Sequence, residues 1–213
     1  MSEPGAEDIR RAAETPVVAA EHELDAAAAD LSAAFADYPM FDWFMRPDAG
    51  RHAAREKLFR LMLREIAFPV GAIQRPATGG AAAVWIPSEK LGPNPLWQEL
   101  RAVPTLLGAT GLARFGRLVA MREAMDRTHP MDRPHAYLWL LGVHPRAQGL
   151  GVGSRLLAAG LAKVDAEGRA AFLETSTESN VALYRRHGFE VTSEYFIRPG
   201  SPPTWTMWRE PRA

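Results

Sequence analysis

The chain has 213 residues, enough for one domain with a substantial core, and its 47% hydrophobic and 23% charged content is that of an ordinary globular protein. Its 25 basic residues are balanced by 25 acidic ones, which argues against a nucleic-acid protein that relies on overall basic charge. Cysteine is absent, so disulfides, zinc–thiolate sites and a cysteine nucleophile are excluded. Residues 1–14 are polar, carry no apolar signal-peptide core, and read as a flexible tail ahead of a domain spanning 15–213. No apolar run approaches the ~20 residues that cross a bilayer, so a soluble cytoplasmic protein is expected.

"TPVVAAEHE" (15–23) reads as a first strand. "LDAAAADLSAAFADYP" then sets Leu24, Ala27, Ala28, Leu31, Ala34 and Phe35 at helical spacing and stops before Pro39. "RHAAREKLFRLMLREIA" repeats that spacing, after which the period changes. "FPVGAIQRPATGGAAAVWIP" predicts two strands about a turn at Thr78, Gly79 and Gly80. The long stretch 94–130 is helical, with a break expected near Pro104 and Gly108. "HAYLWLLGV" is a strand, and a glycine-rich loop leads into the helix "GSRLLAAGLAKVDAEG", which Gly168 ends. The strand "AAFLETS" and the short helix "SNVALYRRHG" follow, and "FEVTSEYFI" and "PTWTMWRE" close the chain as an antiparallel pair. Strand, loop, helix and strand in succession imply a parallel pair with a right-handed crossover. The expected class is α/β in the α+β sense, a mixed sheet with helices on both faces.

The loop "GVHPRAQGLGVG" sits between the strand and the helix. A glycine loop that opens a helix exposes backbone N–H groups and adds the partial positive charge of the helix end, which suits a phosphate or pyrophosphate. A plain strand-to-helix turn needs fewer glycines than Gly149, Gly151 and Gly153. A dinucleotide fold is the specific rival: Gly149, Gly151 and Gly153 approximate its fingerprint, and Glu174 stands where a ribose-binding acid belongs. Two features weigh against it. Residues 144–148 separate the strand from the first glycine, and some 40 residues after Glu174 are too few for a second mononucleotide half. A Walker-type site lacks its Gly-Lys-Ser/Thr.

"VHPRAQGLGVG" resembles the coenzyme motif of the GNAT superfamily of N-acyltransferases, V-x-P-x-x-Q/R-x-x-G-x-G/A, through Val143, Pro145, Gln148, Gly151 and Gly153. "ESNVALYRRHGFEV" resembles the second signature of that superfamily through Asn180, Tyr184, Gly188 and Phe189. "AAFADYP", "AAAVWIP", "AFLETSTESN" and "TWTMWREP" are similar to the puromycin N-acetyltransferase group within it. The resemblance runs over most of 15–213 and is weakest at 88–134, the stretch that would shape an acceptor site. One departure is Leu150, where many members carry a basic residue; Arg146 or Arg155 would have to substitute, or backbone N–H groups suffice.

The resemblance implies a GNAT-like, mostly antiparallel sheet with one splayed parallel pair. It implies acetyl-CoA as co-substrate and a primary amine of a small molecule as acceptor, an antibiotic-like amine among the candidates. Coenzyme contacts would come from Leu141, Val143, Gln148, Gly149, Gly151, Val152, Gly153, Ser154 and Asn180, with Leu141 and Val143 bonding the pantetheine arm as an added strand would. With no cysteine, direct attack by the amine in a ternary complex is the economical route. Tyr184 matches the family position whose hydroxyl faces the coenzyme sulfur and is expected to be the general acid; its bland alternative is a core aromatic. Glu174, at a strand end where sites in open sheets gather, is the candidate base; its alternative is a solvated carboxylate. Asn180 is expected to cap the short helix. Tyr38 is assigned to the acceptor site, although its neighbours Phe41, Trp43 and Phe44 read as core. Trp85 and Trp97 are further candidates for the pocket wall. The histidines show no metal spacing, so no metal is expected, and His129 and His135 read as structural. Arg114, Arg117 and Arg122 read as a solvated face. No nucleic-acid or membrane partner is implied, and the oligomeric state is left open. The alternatives are acetylation of a protein lysine or N-terminus, and a non-catalytic acyl-CoA-binding module.

Overall fold

A computed structural model describes residues 4–71, 73–92 and 95–212. In chain order it contains α1 (Ala6–Ala12), β1 (Val17–Val18), α2 (Leu24–Ala34), α3 (Pro39–Phe44), α4 (Arg51–Met62), β2 (Ile73–Arg75), β3 (Ala81–Pro87), α5 (Leu96–Thr110) and α6 (Leu112–Thr128). Then come β4 (His135–Val143), α7 (Val152–Ala166), β5 (Ala170–Thr175), α8 (Glu178–Arg186), β6 (Glu190–Phe196) and β7 (Pro203–Arg209). The strands form one sheet in the order β1-β2-β3-β4-β5-β7-β6, antiparallel throughout except for β4 and β5. A doubly wound dinucleotide fold, with its run of parallel strands, is thereby excluded. Among the described residues no helix is long and apolar enough to cross a membrane.

Strand β3 shows why both faces carry helices. Ala82, Val84 and Ile86 pack with α2, α3 and α4, whereas Ala81, Ala83 and Trp85 pack with α1 and α7. A strand buried on both sides has no polar alternation, hence the run "AAAVWI". Helix α7 crosses close enough that a Cβ at Gly160 would run into the Trp85 indole.

Two expectations need correction. Residues 6–12 are helical rather than a loose tail: Ile9 and Ala13 are fully buried, and Glu14 pairs with Arg155 of α7 at 2.9 Å. Ile9 lies over Gly80, where an added Cβ would collide with it; a lone isoleucine in a polar stretch leaves no periodic signal. Helix α2 ends at Ala34, before Pro39 as expected, and Pro39 occupies the first turn of a further helix, α3, where its missing N–H costs nothing. The break in the long helical stretch falls at Gly111 (φ +65°), not near Pro104 and Gly108. Pro104 lies inside α5 on its exposed side, and the carbonyl it frees belongs to exposed Leu100, which water can serve.

Strand β4 carries the irregularity that matters. Val84 pairs with Leu140 and Trp85 with Leu138, so Trp139 is an extra residue, a β-bulge. The bulge reverses side-chain parity: Leu138 belongs to the α7 core, Leu140 to the α2–α4 core. Parallel pairing with β5 runs from His135–Ala170 to Leu138–Leu173 and ends there.

Candidate active site

Past the bulge, β4 keeps its bonds to β3 and leaves β5. The His144 N–H donates to Gly80 O at 2.9 Å. Backbone polar groups alternate sides along a strand, so Gly142 also faces β3, while Leu141 and Val143 face the open edge. The Val143 carbonyl accepts from Gln148 Nε2 at 2.9 Å. Gln148 therefore closes the loop onto its own strand, and the Leu141 N–H and C=O and the Val143 N–H remain along the gap.

The glycine loop enters α7 without a side-chain cap. Gly149 (φ +78°) and Gly151 (φ +76°) are left-handed, and a Cβ at either would meet nothing within 4 Å. Backbone conformation demands glycine there, and the space beside both is open. Gly153 is different: its Cβ would sit 3.3 Å from Val143 Cγ2, so it sets how closely α7 approaches β4. Val152 buries its side chain in the core, leaving only its N–H for a ligand. Ser154 Oγ bonds His187 Nε2 at 2.7 Å, tying α7 to the end of α8. Leu150 points outward, 38% exposed. Arg155, one of two suggested stand-ins for a basic residue at 150, is engaged with Glu14. Asn180 is not the cap of α8; Thr177 is, and Asn180 is the third helical residue, its N–H donating to Thr177 O at 3.1 Å.

The other half of the site lies at the end of β5, and three of the four tyrosines of the chain bond to it. Glu174 Oε1 accepts from Tyr195 at 2.8 Å and lies 3.3 Å from Thr128 Oγ1; Oε2 accepts from Tyr137 at 3.1 Å. Tyr38, in the turn between α2 and α3, accepts from the Ser176 N–H at 2.6 Å and meets Thr175 Oγ1 at 3.3 Å. Burial pushes the Glu174 carboxyl above its ordinary value, against the pull of the Tyr195 and Tyr137 hydroxyls that favour its charged form. Burial also pushes up the phenols of Tyr137, Tyr38 and Tyr184. Tyr184 lies on α8 in the α7 core, edge-on to Phe189 at 5.8 Å. Leu173 faces that same core, so Glu174, the next residue, faces the opposite side of β5. The candidate base thus lies just past the point where β4 leaves β5, the candidate acid lies in the core on the other face, and Tyr38 feels the charge of Glu174 and acts in turn on Tyr184.

Other expectations fare differently. Phe41 stacks on Phe59 at 5.3 Å and is core, as are Trp43 and Phe44. Trp85 lies beneath α7 and Trp97 is 62% exposed, so neither lines this site. Arg114 and Arg117 are not a solvated face: they donate to the carbonyls of Asp42, Met45 and Trp43 around the end of α3. His129 and His135 form a pair, Nε2 to Nε2 at 3.0 Å, beside Tyr137 and Phe172. Sequence reasoning missed Tyr137, Tyr195 and Thr128. Tyr137 had a signal, a polar-tipped residue within an apolar strand; Thr128 and Tyr195, on separate elements, had none.

The sequence profile described as the acetyltransferase (GNAT) family matches residues 85–189, from β3 to just past α8. Mycothiol acetyltransferase of Paenarthrobacter aurescens is 36% identical over 69 residues, 30% of this chain and 21% of that protein. The enzyme of the same name from Cellulomonas flavigena is 44% identical over 69 residues, 31% of this chain and 20% of that one. The aligned segments thus span about a fifth of those relatives. Among solved structures, a Corynebacterium glutamicum protein described as histone acetyltransferase HPA2 and related acetyltransferase superposes with a TM-score of 0.68 at 25% identity, covering 93% of this chain and 97% of that one. Sequence match, strand order and the break between β4 and β5 agree, and residues 85–189 carry a GNAT acetyltransferase region.

Proposed function

We propose that the protein transfers the acetyl group of acetyl-CoA directly to a primary amine of a small molecule, both substrates being bound together. The carrying observation is the enclosure of Glu174: a carboxylate set among Tyr137, Tyr195 and Thr128 beneath the end of α6 suits a compact amine better than a polypeptide laid across a groove. The names of the mycothiol acetyltransferases, which refer to a small molecule, support the same class of acceptor.

The residues present fit the coenzyme. The left-handed glycines leave open space beside the uncapped α7 N-terminus, where the N–H groups of residues 149–154 would hold the pyrophosphate. Leu141 and Val143 would pair with the pantetheine arm along the open edge of β4, and Asn180 would add a polar contact from α8. An alkylammonium with a pKa near ~10 must lose a proton before it can attack. Glu174, its proton affinity raised by burial, takes that proton. The amine nitrogen then bonds the thioester carbon, the C–S bond breaks, the departing thiolate receives the Tyr184 proton, and the second proton shed by the nitrogen as it becomes an amide restores the Tyr184 phenol. The raised pKa of Tyr184 keeps it protonated until that moment. Tyr38 orders the end of β5 through the Ser176 N–H and forms part of the acceptor wall.

Calorimetric titration with acetyl-CoA, beside NADH and ATP, followed by an amine screen that detects free thiol, tests this reading. Selective micromolar binding of acetyl-CoA and turnover with a small amine are expected. The likeness to a Corynebacterium protein described as a histone acetyltransferase motivates a second reading, acetylation of a protein amine. A histone-tail peptide in the same screen that outpaces every small amine would replace the first reading with the second.

A further inference from the structure

We propose that Tyr195 relays the acceptor's proton to Glu174, and that Tyr195 Oη, Thr128 Oγ1 and Glu174 Oε1 together seat the acceptor's ammonium. The inference rests on the acetyltransferase reading and goes beyond it by naming the acceptor-side machinery.

The argument is an inventory of protons. Tyr195 has one O–H, and its shortest contact is Glu174 Oε1 at 2.8 Å. Thr128 also has one, and its shortest contact is the Ala124 carbonyl at 3.0 Å, one helical turn back. Thr128 Oγ1 lies 3.3 Å from both Tyr195 Oη and Glu174 Oε1. With both protons so placed, three oxygens converge with lone pairs in excess and no proton between Thr128 and Tyr195. A group rich in donors and free of acceptors completes such a cluster, and a primary ammonium brings three N–H bonds. Tyr137 serves Glu174 from the other oxygen and is almost wholly buried, whereas Tyr195 is half-buried on the edge strand β6. Tyr195 is thus the phenol that an entering amine meets.

In the step itself one ammonium N–H bond breaks as its proton goes to Tyr195 Oη, while the Tyr195 proton goes to Glu174 Oε1. The products are a neutral amine, an unchanged phenol and a carboxylic acid, so charge and protons balance. The amine keeps the electron pair that attacks the thioester. The groups facing Glu174 are Tyr137 from β4, Tyr195 from β6, Thr128 and Asp126 from α6, and Tyr38 from the turn after α2; Arg127 of α6 acts on Tyr195.

The test compares Tyr195→Phe, Tyr137→Phe and Thr128→Val. The Glu174 carboxyl is titrated by NMR in glutamate-labelled protein, with its signal assigned through Glu174→Gln, and kcat and KM are measured for the best amine. Both phenylalanine variants should raise the Glu174 midpoint, since each loses a donor that favours the carboxylate. Only Tyr195→Phe should also lose about 100-fold in kcat, with Tyr137→Phe losing no more than about tenfold. Thr128→Val should raise the amine KM several-fold at nearly constant kcat. An unmoved Glu174 midpoint in Tyr195→Phe, or equal kcat losses in the two phenylalanine variants, overturns the relay. A wild-type protein that acetylates no amine, yet shows the Tyr195→Phe midpoint shift, sinks the acetyltransferase reading and the relay with it while leaving the hydrogen bond standing.

Discussion

The buried histidine pair gives stability a pH dependence that a single substitution should remove. His129 ends α6 with its ring against Tyr137 and Phe172 and its Nε2 on His135. Burial, with His135 alongside, lowers its pKa from 6.5 to about 4. The unfolded chain therefore binds this proton more readily, and stability falls as pH drops from about 6.5 towards about 4, being present in full above that window. At about pH 5 the unfolded state is favoured about 30-fold by this group alone, or about 2 kcal/mol; residual solvent screening reduces that to roughly 1–2 kcal/mol. His135 is also lowered by burial and acts in the same sense. Glu174 acts oppositely, because its raised pKa makes its contribution largest at low pH and lost as pH rises through the folded value. Urea unfolding of wild type and His129→Gln at about pH 7.5 and about pH 5 isolates the histidine term as a difference of differences. The variant should lose roughly 1–2 kcal/mol less than wild type on acidification. A variant that keeps the full wild-type loss refutes the reasoning.

Tyr184→Phe should cut turnover by about 100-fold or more while acetyl-CoA affinity, measured by calorimetry, stays within about twofold; equal turnover removes Tyr184 from the acid role. Gly151→Ala should cost about 1–2 kcal/mol in unfolding for its left-handed backbone and weaken acetyl-CoA binding at least tenfold, and wild-type affinity would remove the loop from the phosphate cradle. Ile9→Ala should lose about 2–4 kcal/mol of stability in urea; a loss under about 0.5 kcal/mol would mean that residues 6–12 are not integral to the core.

Chain order and strand pairing were legible because each element writes its period locally: helical spacing in Leu24–Leu31, turn glycines at 79 and 80, stop glycines at 168 and 188 with φ of +65° and +89°. The glycine loop was legible because left-handed backbone next to an open space admits few other residues. The hydroxyl cage was not. Thr128, Tyr137, Glu174 and Tyr195 lie on four elements, up to 67 residues apart, and only the pairing of β4, β5, β7 and β6 brings them together. Ile9 was hidden for the same reason, since its partner is Gly80 and not a neighbour in the chain. Arg114 and Arg117 misled because an arginine that caps the carbonyls of another helix looks, in sequence, like one that faces water.

The gap itself traces to one residue. A sheet that continued the β4–β5 pairing past Leu138 would occupy the Leu141 and Val143 edge with β5 backbone and remove the edge proposed to hold the pantetheine arm. Trp139 prevents this by inserting one residue opposite β3 and turning β4 away. Deleting Trp139 is a clean perturbation of that device. Leu138 and Leu140 would become consecutive, and consecutive strand residues point to opposite faces, which is where the bulge already puts them. Both cores would therefore keep their side chains, apart from the contacts of the half-buried Trp139 ring. The variant should fold with reduced stability, and β4 should zip further along β5. Acetyl-CoA affinity should fall at least tenfold, as calorimetry would show. A folded deletion variant that binds acetyl-CoA as wild type does would mean that the opening is imposed by the loop and α7, not by the bulge.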